Sequence, residues 1–301
     1  MEQAGPGVTE GVGLTALMVA SARAIETHHR DSLVADPYAE HFVRAAQVST
    51  PLPTRIEDVP GGDADPVWGR GGRYYGLRTR VFDEFLLRSA HAGARQIVLF
   101  GAGLDTRAFR LDWPVGTVVF ELDLPSVLAF KQSVLAGLDA VAKVANHRLG
   151  VDLREGWVSE LTAAGFDPAL PTAWLAEGLL TYLPAAVEER LLASVDSLSA
   201  AGSALSFEIL LDQDTAEIRE DTIYENTEDE LGVNLPSLFD PDPRPDSVAA
   251  VAARGWSVTS HTAFEFTRQY GRGPEPEVRD ALANSRWIFA TKPQTDRLGC
   301  L

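Results

Sequence analysis

The amino-acid sequence predicts an α/β protein built on a mostly parallel, doubly wound sheet. From residue 96 onward, short apolar runs of strand length alternate with segments of helix length, an order that places helices on both faces of a parallel sheet. The runs are continuously apolar, as in strands that are covered on both faces. The first of them ends in Gly101-Ala102-Gly103, a turn that suits a ligand-binding loop. With 301 residues, 45% of them hydrophobic, the chain can bury the core of one large domain.

Seven strands follow from the apolar runs. They are predicted at 96–100 (QIVLF), 117–123 (TVVFELD), 147–153 (HRLGVDL), 172–179 (TAWLAEGL), 203–211 (SALSFEILL), 256–261 (WSVTSH) and 285–291 (SRWIFAT). Helices are predicted between the strands, at 124–138 and 184–199 among others. The last two strands come after a long acidic insert that contains IREDTIYENTEDELG and DPDPRPD.

The first 90 residues predict a helical cap ahead of the sheet. Apolar residues recur at helical spacing in 15–26 and 75–88, and Asp36-Pro37-Tyr38 places a proline in the first turn of another helix. The stretch 49–72 is rich in Pro, Gly and Asp and is predicted to be a loop. We therefore expect a single domain over 1–301, made of the helical cap 1–90, a cofactor-binding core 91–211, an acidic lid-like insert 212–250, and C-terminal strands and tail 251–301.

Charge and composition argue against several classes of partner. The net charge of −17, with no basic face visible, argues against nucleic acid. No apolar run approaches the ~18 residues of a membrane helix, and Glu2 and Glu10 stand where a secretory leader would carry basic residues. The single cysteine, Cys300, cannot form an internal disulfide, which suits a reducing compartment. We expect a cytoplasmic protein that acts on a small molecule; the sequence leaves the oligomeric state open.

Polar residues follow the first four predicted strands, at the edge where open α/β sheets bind ligands. The glycines of Gly101-Ala102-Gly103 let the backbone approach a ligand closely. Asp123, about 20 residues further on, stands where an acid binds ribose hydroxyls. Asp152 and Leu153 can hold an adenine by its exocyclic amine and its ring face, and Glu177 adds a further carboxylate.

This set of residues suits an adenosyl group that carries no phosphate. S-adenosylmethionine has a sulfonium and an ammonium, which an acid-lined pocket favours. NAD needs its pyrophosphate at a helix N-terminus, usually with a third small residue where this chain has Thr106. Two alternatives stay open at this point: an NAD-dependent oxidoreductase, and a chain in which Glu121, Asp123 and Asp152 only cap the helices that follow their strands.

Four stretches resemble the leucine carboxyl methyltransferase superfamily: QIVLFGAGLDTRAFRL, VVFELDLPSVLAFK, GVDLREGW and PTAWLAEGLLTYLP. They look most similar to its bacterial branch of S-adenosylmethionine-dependent O-methyltransferases, which includes mycobacterial enzymes and polyketide carboxyl methyltransferases. ARAIET, DPYAEHFV and LRTRVFDEF extend the resemblance over most of residues 14–211. It implies a class I methyltransferase fold, Rossmann-like, with a seven-stranded, mostly parallel sheet and S-adenosyl-L-methionine as the cofactor.

The resemblance also implies roles for individual residues. Gly101 would contact the methionine part of the cofactor, Asp123 the ribose, Asp152 and Leu153 the adenine, and Glu177 the amino or sulfonium side.

Basic residues are implied for the carboxylate of the cofactor. Arg78 would pair with it, and Arg80, on the same predicted helix, is a close rival. Arg23 lies near a further position where the family places a basic residue, although its match is weaker. A solvated helix face is the alternative for both Arg23 and Arg78.

The acceptor of the methyl group is less constrained. A carboxylate, with a pKa near ~4, is ionised at neutral pH and needs no base, whereas a phenol or alcohol needs a base or a metal. No metal-ligand spacing is visible. His261, after a late strand, is the one histidine that could lie near the mouth of the site, and a plain surface position is the favoured alternative. The lack of an obvious base and the resemblance both favour a small-molecule carboxylate, such as a natural-product acid of secondary metabolism. A hydroxyl or phenol acceptor and a non-catalytic cofactor-binding protein stay as alternatives.

Three residues are candidates for contact with the acceptor. Tyr182, just past the fourth strand, could hold it by the hydroxyl, and the alternative is a packed aromatic ring. Tyr224 and Arg219 in the acidic insert would meet the acceptor if the insert is a lid, and would be solvated if it is an ordinary surface excursion.

Overall fold

A seven-stranded sheet lies at the centre of the protein, in a computed structural model that describes residues 7–9, 11–213, 215–277 and 280–294. The strands are β1 (Gln96–Phe100), β2 (Val118–Asp123), β3 (Ala145–Gly150), β4 (Thr172–Ala176), β5 (Ala204–Leu210), β6 (Ser257–His261) and β7 (Ser285–Thr291). Their order across the sheet is β3-β2-β1-β4-β5-β7-β6. Neighbouring strands are parallel except for β7, which runs antiparallel to both β5 and β6.

Twelve α-helices lie in the described ranges. They are α1 (Val12–His28), α2 (Ala39–Ala45), α3 (Gly71–His91), α4 (Arg107–Arg110), α5 (Pro125–Gly137), α6 (Trp157–Ala163), α7 (Ala185–Ser197), α8 (Ala216–Arg219), α9 (Thr222–Leu231), α10 (Ser247–Ala253), α11 (Ala263–Tyr270) and α12 (Ala281–Asn284). No helix of these ranges is both long enough and apolar enough to cross a membrane.

The apolar strands bury both of their faces, as the sequence predicts. Along β1, Ile97 and Leu99 join a core that also contains side chains of α1, α2 and α3. Val98 and Phe100 point to the opposite face and join a second core with side chains of α6, α7 and α10. Residues two apart on a strand share a face, so a continuously apolar strand needs helices on both sides. The predicted α/β fold with a mostly parallel seven-stranded sheet is confirmed.

The strand order reverses between β1 and β4, which pair directly in the middle of the sheet. The chain leaves β1 toward β2 and β3 on one side, and later continues from β4 to β5 on the other. A reversal of this kind opens a crevice beyond the carboxyl ends of the strands, and this is where such sheets bind ligands. The crevice therefore lies beside Gly101, which follows β1, and Glu177, which follows β4.

Several element boundaries differ from the prediction. The third strand ends at Gly150, short of the predicted 153, so Asp152 and Leu153 lie in the loop beyond it. The fourth ends at Ala176, short of the predicted 179, because the chain turns at Gly178, whose φ of 59° favours glycine. The predicted loop 49–72 contains two 3-10 turns, Ile56–Asp58 and Gly62–Ala64, and a π-helical turn, Pro66–Arg70.

The acidic insert is largely helical in the described residues. Asp221 caps α9 by accepting a hydrogen bond from the Ile223 amide at 3.0 Å, and Gly232, with φ 68°, ends that helix. A 3-10 turn, Leu235–Leu238, follows, and α10 begins at Ser247. Helix α9 packs against the π-helical turn 66–70, so the insert contacts the N-terminal cap.

One buried ion pair between strand and helix predicts a stability effect. Lys131 of α5 and Glu121 of β2 are both fully buried, with Nζ 2.7 Å from Oε2. We expect Lys131→Met to lower the free energy of unfolding by about 3–5 kcal/mol, because it leaves a buried carboxylate without its counter-ion. The double variant Lys131→Met, Glu121→Leu should recover most of that loss. Urea unfolding of both variants tests this, and equal losses in the two would contradict it.

Candidate active site

A cavity of about 300 Å³ lies in the crevice beyond the carboxyl ends of β1, β2 and β4. Every site residue that the sequence predicts lines this cavity: Arg78, Gly101, Asp123, Asp152, Leu153, Glu177 and Tyr182. Arg23, the weaker candidate, lines it too. The wall opposite the sheet comes from α1, whose Thr15, Ala16 and Val19 face the cavity. Residues from four strand ends and two helices of the cap thus meet at one place.

The glycine loop after β1 brings bare backbone to the cavity wall. Gly101 and Gly103 have φ of 57° and 49°, in the left-handed region where a side chain is strained. A Cβ on Gly101 would lie 2.9 Å from Cδ1 of Leu179, which also lines the cavity. The loop needs glycine for its backbone conformation, and a Cβ on Gly101 would also displace the Leu179 side chain at the cavity wall.

Asp123 at the end of β2 fixes the glycine loop. Its Oδ2 accepts a hydrogen bond from the Gly103 amide at 2.6 Å, and its Oδ1 accepts one from the Leu124 amide at 2.6 Å. Each carboxylate oxygen has two lone pairs, so one on each remains for a ligand. Burial raises the pKa of Asp123, against the effect of the two amides. This pair of oxygens can accept both hydroxyls of a ribose.

Glu177 after β4 holds two guanidinium groups at once. Its Oε1 accepts from Arg78 Nε at 2.9 Å, and its Oε2 accepts from Arg107 Nη1 at 2.9 Å. Burial alone would raise the pKa of Glu177, but Arg107 and Arg78 outweigh it and hold that pKa below its usual range. The carboxylate is therefore ionised beside the cavity at neutral pH.

The ion pairs continue on both sides of Glu177. Arg107 also contacts Asp105 at 2.5 Å and Asp83 at 2.7 Å, and Asp83 contacts Arg110 at 2.5 Å. Despite burial, Arg107 holds the pKa of Asp105 below its usual range. On the other side, Arg78 Nη1 lies 2.8 Å from Oε2 of Glu208 on β5.

We call these seven side chains the ion-pair chain: Arg110, Asp83, Arg107, Asp105, Glu177, Arg78 and Glu208. It contains four carboxylates and three guanidiniums. It therefore leaves one negative charge in excess next to the cavity, which favours a cationic ligand.

The structure separates the rival arginines. Arg78 is buried and lines the cavity, and its Nη2 has no hydrogen-bond partner among the described residues. Arg80 is partly exposed, pairs with Glu84 at 2.5 Å and lies over the ring of Tyr270. Arg80 does not line the cavity, so Arg78 is the arginine of this helix with a donor free for a ligand.

Arg23 meets the cavity from α1. Its Nη2 donates to the Leu104 carbonyl at 2.6 Å, and its Nε lies 3.0 Å from Oδ2 of Asp36. Neither Arg23 nor Arg78 lies on a solvated helix face, which was the alternative for both.

Asp152 and Leu153 lie side by side on the wall beyond β3. The side-chain hydrogen bonds from Arg154, one of them at 2.5 Å, hold the pKa of Asp152 below its usual range. Leu153 is buried and contributes an apolar surface. An adenine amine would share Asp152 with Arg154.

Glu121 was considered as a helix cap together with Asp123 and Asp152. It is fully buried against Lys131 and does not line the cavity.

The residues that were candidates for contact with the acceptor lie in different parts of the structure. Tyr182 lies in a 3-10 turn, Leu180–Tyr182, and lines the cavity; burial raises its pKa above the usual value. Tyr224 of α9 lines an adjoining cavity, whereas Arg219 donates to the Gln213 carbonyl and lines neither. His261 bonds to Glu265 at the sheet edge and is likewise absent from both walls.

Sequence reasoning missed three residues of the site: Asp105, Arg107 and Glu208. Asp105 and Arg107 belong to the GLDTR stretch that carries the family resemblance, so the motif itself held a signal for them. Glu208 stands inside an apolar strand, where a charged residue needs a buried partner, and that irregularity was the available signal.

Comparison with known proteins identifies the family. The sequence pattern of leucine carboxyl methyltransferase matches residues 16–196. A Streptomyces coelicolor protein, named as a candidate S-adenosyl-L-methionine-dependent methyltransferase, is 55% identical over 287 residues and covers 95% of each chain. A Mycobacteroides abscessus protein with the same name is 44% identical over 294 residues, covering 95% of this chain and 94% of its own.

The chain belongs to the leucine carboxyl methyltransferase family. It is an S-adenosylmethionine-dependent methyltransferase, as its sequence predicts. This assignment replaces the two other interpretations, an NAD-dependent oxidoreductase and a non-catalytic binding protein.

A solved structure supports the fold. A DUF574 family protein from Streptomyces avermitilis superposes with a TM-score of 0.54 at 14% identity, covering 93% of this chain and 97% of the other. A methyltransferase candidate from Thermobifida fusca gives a TM-score of 0.51 at 16% identity, covering 90% and 94%. At these identities the likeness shows the shared fold of the methyltransferase.

The cavity of the methyltransferase fits S-adenosylmethionine chemically. The glycine loop leaves space that a Cβ would fill, and Asp123 keeps a lone pair free on each oxygen. The excess negative charge of the ion-pair chain suits a sulfonium, and Nη2 of Arg78 is a free donor for a carboxylate. Among the described residues, no cluster of three metal-ligating side chains is present.

Removal of the Asp123 carboxylate should weaken cofactor binding. We expect Asp123→Ala to lower the affinity for S-adenosylmethionine by about 10- to 100-fold, because hydrogen bonds to a charged acceptor contribute about 1.5–3 kcal/mol. Calorimetric titration measures it. Asp112→Ala is the matched control, since Asp112 is exposed and its one ion pair within the described residues is with Lys143. Unchanged affinity in a folded Asp123→Ala variant would contradict this role.

The raised pKa of Asp123 predicts how cofactor affinity depends on pH. If the ionised carboxylate accepts the ribose hydroxyls, the affinity for the cofactor should be constant above that pKa and fall as the pH drops through it. Because burial raises this pKa, the fall should begin at a higher pH than for an ordinary aspartate, whose pKa is about 3.9. Calorimetry across the acidic range, with circular dichroism to verify folding, would measure the step. Asp123→Asn should remove the step; a step that persists would assign it to another group.

Proposed function

We propose that this enzyme transfers a methyl group from S-adenosylmethionine to a carboxylate oxygen of a small-molecule acid, producing a methyl ester. Gly101, Asp123, Asp152, Leu153, Glu177 and Arg78 hold the cofactor in this proposal, and Tyr182 positions the acceptor. The single cysteine of the enzyme, Cys300, suits a reducing compartment. On that basis we place the enzyme in the cytoplasm.

A second cavity that adjoins the first carries the proposal. Its volume is about 150 Å³, and it shares wall residues with the first, among them Thr15, Arg78, Leu179 and Tyr182. An acceptor in the second cavity would reach the first between Arg78 and Tyr182. The two cavities thus offer separate places for donor and acceptor with a common boundary, which is the arrangement that an in-line displacement needs.

The boundary residues are donors of hydrogen bonds. Nη2 of Arg78 carries two N–H groups, so it can donate one to the carboxylate of the cofactor and the other to the acceptor. Glu208 and Glu177 overcome burial to raise the pKa of Arg78 above its ordinary value. Burial raises the pKa of Tyr182, so its hydroxyl stays protonated at neutral pH. A guanidinium and a phenol hydroxyl can both donate hydrogen bonds to a carboxylate. Neither is suited to accept the proton that a hydroxyl acceptor must lose.

A carboxylate acceptor also requires no base, and the described wall of the second cavity offers none that is free of hydrogen-bond donors. No histidine or lysine among the described residues lines either cavity. Glu208 lines the second cavity, but three donors converge on its Oε1, namely Tyr74, Ser285 and Trp287, while Arg78 occupies Oε2. Glu208 acts here as a fixed counter-charge for Arg78.

When bound, S-adenosylmethionine would supply a methyl group attached to a sulfonium. The acceptor oxygen would attack the methyl carbon as the carbon–sulfur bond breaks, with the electron pair of that bond staying on sulfur. A carboxylate releases no proton in this reaction. Arg78 and Tyr182 orient the acceptor oxygens, and Glu177 keeps Arg78 in place. Apolar side chains from α1 and α9 line the second cavity. Walls of this kind help to keep water from the reacting atoms.

Methylation of a phenol or alcohol is the second candidate function, and Glu208 is the observation that favours it. A carboxylate in the second cavity could take the hydroxyl proton if it were released from its four donors.

The pH dependence of turnover distinguishes a carboxylate acceptor from a phenol that is methylated without a base, and the product distinguishes it from a phenol that loses its proton to Glu208. With a carboxylate acceptor and saturating cofactor, we expect kcat/KM to stay constant between about pH 6 and 8.5, because a carboxylate with a pKa near 4 is ionised throughout. A phenol methylated without a base would gain about tenfold per pH unit up to its pKa of about 10. Mass spectrometry of products from a panel of acids and phenols supplies the rates. Ether products alone would overturn the carboxylate assignment.

A further inference from the structure

The second cavity differs from the first in the chemistry of its walls. Aliphatic side chains dominate it: Met18 from α1, Val67 from the π-helical turn, Ile209 from β5, Ile223 from α9 and Leu282 from α12. Its polar groups are mostly hydroxyls. Arg78, at the boundary with the first cavity, is its one cationic residue among the described residues.

The acidic insert forms one side of this cavity. Helix α9 contributes Ile223, Tyr224 and Thr227, and the turn after it adds Leu235 and Phe239. Glu225, next to Tyr224 on the helix, is exposed to solvent. The insert thus presents an apolar face to the cavity and its carboxylates to water, as an amphipathic cover does.

Aromatic rings line the side nearest the boundary. Phe239 lies edge-to-face with Tyr224 at 5.8 Å and 6.0 Å from Tyr182, and Tyr74 lies edge-to-face with Tyr75 at 5.4 Å. Rings of this kind favour a further ring offset or edge-on at about 5–6 Å. The Tyr75 and Tyr224 hydroxyls have no hydrogen-bond partner among the described residues, and burial raises both pKa values.

The volume limits what the cavity holds. An apolar protein cavity of about 150 Å³ holds one benzene molecule. Gly71 and Ile223 pack against each other at the wall, with Ile223 Cδ1 3.6 Å from the position of a Cβ on Gly71. A long acyl chain or a fused ring system exceeds this space.

The charges limit it further. A second carboxylate on the acceptor would lie near Glu208 with no free cation to pair with, since Arg78 already binds two carboxylates. Three donors already fill Oε1 of Glu208, and Arg78 occupies one side of Oε2. A dicarboxylate therefore buries a negative charge without a partner, which is costly.

We propose that the second cavity takes the body of a single-ring aromatic monocarboxylic acid, with its carboxylate toward Arg78 and Tyr182 and its ring under α9. This inference rests on the proposed carboxyl methylation and names its substrate class. The Tyr75 and Tyr224 hydroxyls lie beside the ring and can bond to a hydroxyl or keto substituent on it.

Binding to the full-length enzyme loaded with S-adenosylhomocysteine tests the inference without turnover. Benzoate and 4-methylbenzoate are titrated by calorimetry against succinate, leucine and hexadecanoate. We expect the ring acids to bind at least about tenfold more tightly than each of the other three, the scale of discrimination that a fitted apolar pocket gives. Tighter binding of succinate, leucine or hexadecanoate overturns the proposed class.

A filled cavity supplies the matched variant. Ile223→Trp should weaken benzoate binding by about tenfold or more and leave S-adenosylhomocysteine affinity unchanged, since Ile223 lines only the second cavity. Glu225→Trp adds the same side chain on the exposed face of α9 and should change neither. Benzoate binding that survives Ile223→Trp overturns the assignment of this cavity.

Product analysis separates failure of this inference from failure of the proposed function. Methyl esters formed only from long-chain or dicarboxylic acids overturn the substrate class and support carboxyl methylation. Ring acids that bind in an Ile223-dependent way and are never esterified overturn the carboxyl methylation, and the substrate class falls with it. Methyl benzoate formation that Ile223→Trp lowers and Glu225→Trp leaves unchanged supports both.

Discussion

Both cavities depend on the carboxylate of Glu177, which bridges two guanidinium groups. One oxygen binds Arg78 from the cap helix α3, and the other binds Arg107 at the start of α4, just after the loop that follows β1. Through these two guanidiniums a single residue at the end of β4 joins the N-terminal cap to the sheet. Buried charges of this kind are costly unless every partner is present. The whole ion-pair chain must therefore form for the cap to close over the carboxyl ends of the strands.

The residues around the cofactor cavity could be predicted because each follows a strand in the sequence. Asp123 and Glu177 stand directly after apolar runs, and parallel strands bring their carboxyl ends together. The partners of these carboxylates could not be predicted in the same way. Arg107 lies 70 residues from Glu177, and Arg78 lies 130 residues from Glu208. No local periodicity encodes such pairs; they exist only after the sheet and the cap have come together.

The acidic insert shows a second limit of sequence patterns. Its composition indicates a solvated segment, because carboxylates outnumber apolar residues along α9. The helix nevertheless directs Ile223 and Tyr224 inward, and Glu225 outward. Periodicity over ten residues is too short to distinguish a cover from a surface helix, and the opposing wall from the turn 66–70 lies in a stretch that the sequence predicts to be a loop. Whether α9 covers a cavity depends on the surface against which it packs. The pattern of a single sequence does not show that surface.

The two cavities draw on different parts of the chain. Every wall residue of the first lies between 12 and 183, whereas the second takes about half of its wall from residues 208–285. The family pattern ends at 196, before that second set begins. If the first cavity binds the donor and the second the acceptor, as we propose, acceptor choice depends in part on a later block of sequence that the donor cavity does not use. A lineage can exchange the later block and acquire a new acceptor while the earlier block, and with it the chemistry of methyl transfer, stays intact. Relatives that agree up to β4 and diverge after it are therefore expected to share a cofactor and differ in their acids.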